Sequence, residues 1–222
     1  MIVAIDGPSG VGKSTVGKAV ATRLGVAYLD TGAMYRAVGL AAKRHSIALP
    51  IADPAAVVAI AERATVSVTG SVANAHTFLD GEDVSKEIRT PEISMYASAV
   101  SAIPGVRRRL AGMQRQLALT SGGVLEGRDI GTKVVPETPH KFFLTARPEV
   151  RARRRTLELE AKGTPQPFEK VRAEMEARDR ADSTREDSPL KHDASYVVLD
   201  TSDLTVDQVV EELLRHVGTA AG

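Results

Sequence analysis

The stretch Ile2-Val3-Ala4-Ile5-Asp6-Gly7-Pro8-Ser9-Gly10-Val11-Gly12-Lys13-Ser14-Thr15 decides the fold. Four apolar residues ending at an acidic one read as a strand buried on both faces, after which Val16, Val20 and Leu24 recur at helical spacing. Between strand and helix, Gly7 to Ser14 fits G-x-x-x-x-G-K-[ST]. Gly7, Gly10 and Gly12 let backbone N–H groups turn inward around phosphate oxygens, and the start of the helix adds partial positive charge. Lys13 can reach β/γ-phosphates, while Ser14 or Thr15 offers a hydroxyl to Mg2+. Gly7, Pro8, Ser9, Gly10, Val11, Gly12, Lys13, Ser14 and Thr15 are therefore the candidate nucleotide-binding segment, with Ser14 as candidate metal ligand. A glycine-rich strand-to-helix turn is the plain alternative; the strand–loop–helix order argues against it.

Outward from this loop the same grammar repeats. Apolar runs at 26–29, 124–125, 142–144 and 196–199 are each followed by a turn and a helical pattern, which predicts an α/β fold with a parallel sheet. Helices are expected over about 13–24, 31–44, 54–63, 91–102, 104–119, 148–162, 167–181 and 204–216. Asp53-Pro54 and Thr90-Pro91 each place a capping side chain before a proline at the first helical position. Residues 65–89 break the alternation. There Val66, Val68, Val72, Phe78 and Leu79 lie in β-prone stretches separated by Gly70-Ser71 and Asp80-Gly81, which predicts a small antiparallel insert. Gly163-Thr-Pro-Gln-Pro167 reads as a loop, and 218–222 as a frayed tail.

The 222 residues are 43% hydrophobic and 26% charged, ordinary values that exclude a fibrous or disordered chain. With Lys+Arg 29 against Asp+Glu 28, a net charge of +1 supplies no overall field for a nucleic acid polymer or an anionic membrane. Cysteine is absent, which removes disulfides and thiolate chemistry, and aromatic residues at 4% make poor base-stacking platforms. No signal-peptide pattern or membrane-length apolar run is present, so a cytoplasmic protein is expected. The five histidines lack metal-ligand spacing.

The second strand runs into Asp30-Thr31-Gly32-Ala33-Met34-Tyr35-Arg36. In a parallel sheet, strand ends and helix starts converge on one edge, so this segment should face the crevice of the phosphate loop. Thr31 caps the helix or contacts an acceptor, and Arg36 can fork onto its phosphate. A GTPase is excluded, because N-K-x-D needs Asn before Lys and the one Asn, Asn74, precedes Ala75.

With Gly81-Glu-Asp-Val-Ser-Lys-Glu-Ile-Arg-Thr90 and Glu126-Gly-Arg-Asp-Ile-Gly-Thr132 added, the chain resembles the bacterial cytidylate kinases from Ile2 to about Asp200. The resemblance implies transfer of the ATP γ-phosphoryl group to CMP or dCMP. It also implies a three-layer P-loop fold with a five-stranded parallel core sheet, a small antiparallel β insert in the acceptor region and an Arg-rich lid. One kinase domain would span 1–222, comprising a core (about 1–30, 120–146 and 190–222), a CMP-binding region (about 31–119) and a lid (about 147–185).

Carried onto this sequence, the family pattern puts the CMP phosphate on Arg36, Arg107 and Arg128. The pyrimidine and sugar would meet Thr31, Tyr35, Ser98, Asp129, Arg178 and Arg185. Lys13, Arg36, Arg128, Arg151 and Arg155 would stabilise the transferring group, with Mg2+ and ATP as cofactor and donor. Arg147, Arg151 and Arg155 recur every four residues beside Arg153 and Arg154, a cationic face that Glu158 relieves from four residues beyond Arg154. Asp30, Glu126 and Asp129 are the carboxylates placed to hold Mg2+ through water. A monomer is expected. The competing readings are another small-molecule P-loop kinase and a nucleotide-gated binding module without turnover.

Overall fold

The structure is a computed structural model that describes residues 1–69, 72 and 75–219, so Gly70-Ser71 and the end of the tail, 220–222, lie outside the described residues. Its centre is a parallel sheet in the order β2-β6-β1-β7-β8. Here β1 is Ile2–Asp6, β2 Tyr28–Asp30, β6 Gly123–Gly127, β7 His140–Thr145 and β8 Val197–Asp200. The register pairs Asp6 with Gly127 and Phe143, Asp30 with Glu126, and Thr145 with Asp200. All five carboxyl ends therefore meet along one edge, and the chain reverses its direction of travel across the sheet at β1. That is where parallel α/β sheets open a ligand crevice.

Alternation along β1 divides the core. Val3 and Ile5 face α1 (Lys13–Leu24) and α8 (Val206–Thr219), packing with Val16, Val20, Phe142, Leu144, Val209 and Leu213. Ala4 faces the other way, with Leu29, Leu125, Ile130 and Ala118 of α5 (Pro104–Ser121). A separate cluster joins α2 (Thr31–Arg44), α3 (Pro54–Arg63), α4 (Pro91–Ser101) and the first half of α5 to the antiparallel strands β3 (Val66–Thr69) and β4 (His76–Leu79). The third strand of that insert, β5 (Glu82–Asp83), is too short and too acidic to have shown in the sequence, and Val72 lies between strands. The last two helices before β8, α6 (Pro148–Ala161) and α7 (Phe168–Thr184), share a small core of Ala152, Leu159, Val171 and Met175.

Helix starts follow the capping chemistry. Asp53 accepts from Ala56 N at 3.1 Å and Thr90 from Ile93 N at 3.2 Å. One assignment is corrected. Asp30, not Thr31, caps α2 by accepting from Ala33 N at 3.1 Å, because Thr31 already lies in the first turn and donates to the Glu126 carbonyl at 2.6 Å. Helices α7 and α8 each run three residues beyond their expected ends, to Thr184 and Thr219.

Candidate active site

Gly7 and Gly12 make the loop between β1 and α1 possible. Gly7 sits at φ +147 with the Leu144 carbonyl oxygen 2.2 Å from where a Cβ would stand, and Gly12 caps α1 at φ +93. Only glycine combines that approach with that backbone. Lys13 is buried and donates to the Pro8 carbonyl at 2.6 Å. Burial, then the nearby Arg128, drives its ammonium well below the usual lysine range, and Arg178 adds to the effect. Ser14 donates to Glu126 Oε1 at 2.6 Å, and the Tyr28 hydroxyl donates to the same oxygen. Thr15 is exposed on α1. Burial, then Asp30, raises the Glu126 carboxyl, and Lys13 with the two hydroxyl bonds offsets part of that rise.

Across the crevice, Arg36 on α2 donates to Ser94 Oγ at 2.6 Å and to the Ile88 carbonyl at 3.3 Å. Arg107 on α5 is 3% exposed, donates to Asp129 at 2.6 Å and to the Ser101 carbonyl at 3.1 Å, and lies 5.4 Å from the Tyr35 ring centre. Its neighbours Arg108 and Arg109 face solvent. Ser98 is half-buried on α4, one turn before Ser101. Asp182 on α7 lies between Arg178 and Arg185 in the chain and carries no expected role from the sequence. It accepts from Arg128 at 2.9 Å and from Arg185 at 3.2 Å. Burial opposes its ionisation, but Arg128, Arg178 and Arg185 together hold the carboxyl below its usual range. Burial and Arg128 bring Arg178 down to about 10. Among the described residues, Arg178 Nε, Arg185 Nη2, Arg107 Nε and Ser9 Oγ are buried without a hydrogen-bond partner.

The arginines of α6 divide. Arg151 is buried and donates to the Ser9 carbonyl at 3.2 Å, to the Ala146 carbonyl at 3.1 Å and to Asp179, so it ties α6 and α7 to the phosphate loop. Arg155 pairs with Glu158 at 2.8 Å and lies near enough to lower the proton affinity of Arg36. The others face elsewhere: Arg147 pairs with Asp203 at 2.6 Å, and Arg154 donates to the Thr201 carbonyl at 2.6 Å. Glu158 accordingly relieves Arg155 and Lys162 rather than Arg154. Helical spacing identifies a charged face but not partners 47 or 56 residues away.

The cations form a line. Arg128 and Arg178 repel Lys13, Arg128 and Arg36 repel Arg178, and Arg155 repels Arg36. Such a series runs from the phosphate loop to the acceptor side, and a polyanion is the ligand that would relieve it.

The cytidylate kinase family matches residues 3–219. A cytidylate kinase of Caldanaerobacter subterraneus is 49% identical over 215 residues, covering 97% of this chain and 93% of its own length. One of Mycobacterium avium is 50% identical over 214 residues, covering 96% and 93%. In fold, an uncharacterised protein of Eubacterium ventriosum aligns with a TM-score of 0.53 at 12% identity, covering 99% of this chain and 98% of its own. Identity near one half over nearly its whole length, with a family match from residue 3 to 219, places this chain in the cytidylate kinase family.

Proposed function

We propose that this chain is a nucleoside monophosphate kinase that transfers the γ-phosphoryl group of ATP to CMP or dCMP, giving ADP and CDP or dCDP. The observation that carries the reading is the gathering of Lys13, Arg36, Arg107, Arg128, Arg178 and Arg185 about one crevice, where Arg107 Nε, Arg178 Nε and Arg185 Nη2 are buried without a hydrogen-bond partner among the described residues. Two phosphorylated substrates held tip to tip would neutralise it, whereas one nucleotide would cover only the loop end.

An oxygen of the CMP phosphate attacks the γ-phosphorus, a P–O bond forms, and the bond to the bridging oxygen breaks with its electron pair leaving on ADP. The attacking oxygen is already anionic, so no side chain need remove a proton. Lys13 and Arg151 stabilise the donor phosphates, Arg36, Arg107 and Arg128 hold the acceptor phosphate, and Arg155 approaches from α6 as charge spreads over the transferring group. Thr31, Tyr35, Ser98, Asp129, Arg178 and Arg185 face the sugar and base. Residues 31–119 act as the acceptor region and 147–185 as the lid over the core.

Mg2+ fits the donors beside the loop. The Ser14 hydroxyl and the Glu126 and Asp30 carboxylates are hard oxygens, the set Mg2+ takes with substrate phosphates and water. Ser14 would hold the ion directly, and Glu126 and Asp30 through its water. When bound it would neutralise charge on the β- and γ-phosphates.

Incubating the protein with ATP, Mg2+ and each nucleoside monophosphate, then separating the products by chromatography, tests the reading. CDP and dCDP should dominate, and Lys13→Ala or Arg36→Met should lower turnover by about 10³-fold or more, as loss of a cation on the transferring group does elsewhere. ADP release without any pyrimidine diphosphate would overturn it.

A further inference from the structure

Asp6 is the one group at the carboxyl edge of β1 that the mechanism leaves unused. It is fully buried, and none of its side-chain hydrogen bonds goes to a residue assigned to either nucleotide. A carboxylate in such a place needs several donors. It has three: Ile130 N at 2.9 Å on Oδ1, and Gly131 N at 2.9 Å and the Tyr196 hydroxyl at 2.7 Å on Oδ2. Two of the three come from one wide helical turn, Ile130–Val134, which follows β6 directly after Arg128 and Asp129.

That turn is held from every side at this point. A Cβ on Gly131 would stand 2.5 Å from the Tyr196 hydroxyl, and one on Gly127 would stand 2.7 Å from Ile130 Cδ1. The backbone between them is Arg128-Asp129-Ile130. Arg128 runs out to Asp182, and Asp129 to Arg107. Fixing residues 130 and 131 therefore fixes the direction in which both acceptor-side groups leave the sheet. An ordinary wide turn anchored by apolar contacts alone would leave that direction free to swing, because a single five-residue turn offers few atoms to pack.

We infer that Asp6 and Tyr196 are a positioning pair for the acceptor: through the backbone of Ile130 and Gly131 they hold Arg128 and Asp129 in the orientation that receives the nucleoside monophosphate. This rests on the kinase reading above and adds two residues to it. Neither is a catalytic residue. The pair acts on the acceptor side because its side-chain hydrogen bonds go to the turn after β6 and none goes to the phosphate loop that follows Asp6.

The test is a split between the two substrates. Tyr196→Phe removes one donor and leaves the two N–H groups, so the fold should persist; its KM for CMP should rise about three- to fivefold, the worth of one hydrogen bond, with KM for ATP within twofold. Asp6→Asn puts an amide donor against an N–H or hydroxyl donor and should raise KM for CMP about tenfold or more, again with little change for ATP. Tyr196→Phe combined with Asp129→Asn should raise KM for CMP by less than the product of the single effects. Val210→Ala, in the α8 core, serves as a variant that lowers stability without touching the turn, and its KM for CMP should match the parent. If both variants keep the parental KM for CMP, or raise both KM values equally, the inference is overturned, and Tyr196→Phe decides should Asp6→Asn not fold. Turnover of CMP by the parent chain is the control that separates this failure from failure of the kinase reading.

Discussion

At the scale of single residues, two buried aspartates show how environment sets opposite pH behaviour. Burial lifts the Asp6 carboxyl to about 6 against an ordinary 3.8, despite bonds from Gly131, Ile130 and Tyr196 and the pull of Lys13, with Asp129 adding to the rise. A carboxyl raised in the folded state contributes stability that is fully present below 3.8 and lost as pH climbs through 6. Asp182 is lowered and does the reverse: its contribution is present above 3.8 and lost as pH falls through its folded value. Between pH 4 and 7 the parent should therefore lose on the order of 3 kcal/mol that Asp6→Asn does not lose. Urea unfolding of both proteins at several pH values measures this, and parallel curves would contradict the burial argument.

At the scale of elements, α5 and α6 make different contributions. Val106 and Leu110 of α5 sit in the acceptor-region core, while Ala118 of the same helix sits under the sheet, so α5 welds two hydrophobic clusters. Leu110→Ala should cost about 2–5 kcal/mol and unfold the protein in a single transition in calorimetry, because neither cluster can melt without the other. Leu159 belongs to the four-residue core that α6 and α7 share, and Leu159→Ala should instead speed amide exchange in 148–184 while global stability moves less. The existence of these helices is legible in the chain. Pro-capped starts at Asp53-Pro54 and Thr90-Pro91 carry their own local chemistry, and the loop Gly163 to Pro167 cannot be helical. The phosphate loop is legible for the same reason, since everything it needs lies within fourteen residues. What escapes is partnership across the fold. Arg154 looks equivalent to Arg151 on a helical wheel, yet it is spent on Thr201, and Asp6 meets Tyr196 from 190 positions away. Periodicity reports a face; it is silent on what the tertiary structure sets against that face.

At the scale of the whole molecule, a chain of net charge +1 has gathered Lys13, Arg36, Arg107, Arg128, Arg178 and Arg185 at one crevice, with α6 and α7 resting beside it. Arg151 bonds the loop carbonyl at Ser9, and a methyl on Gly10 would meet Met175 Cε at 2.7 Å, so α6 and α7 rest directly on the phosphate loop. On the lid reading proposed above, Lys13, at 7% exposure, becomes reachable by a nucleotide when α6 and α7 lift from the loop. In the same reading, Arg155 on α6 stands near enough to Arg36 for the like charges to oppose closure unless phosphates lie between. Anion binding and closure are thus coupled, each stabilising the other. A compound joining adenosine to cytidine through a chain of phosphates supplies both ends at once. At 100 times its Kd it should stabilise the protein by about 2.7 kcal/mol. For a chain of this size that raises Tm by about 5–10 °C. Cleavage by a protease within 147–185 should slow in parallel, because that segment is the proposed lid. ATP alone should protect this segment less, since it relieves only the Lys13 end of the cation line. Equal protection by ATP and by the joined compound would mean that the acceptor-side arginines take no part in closure.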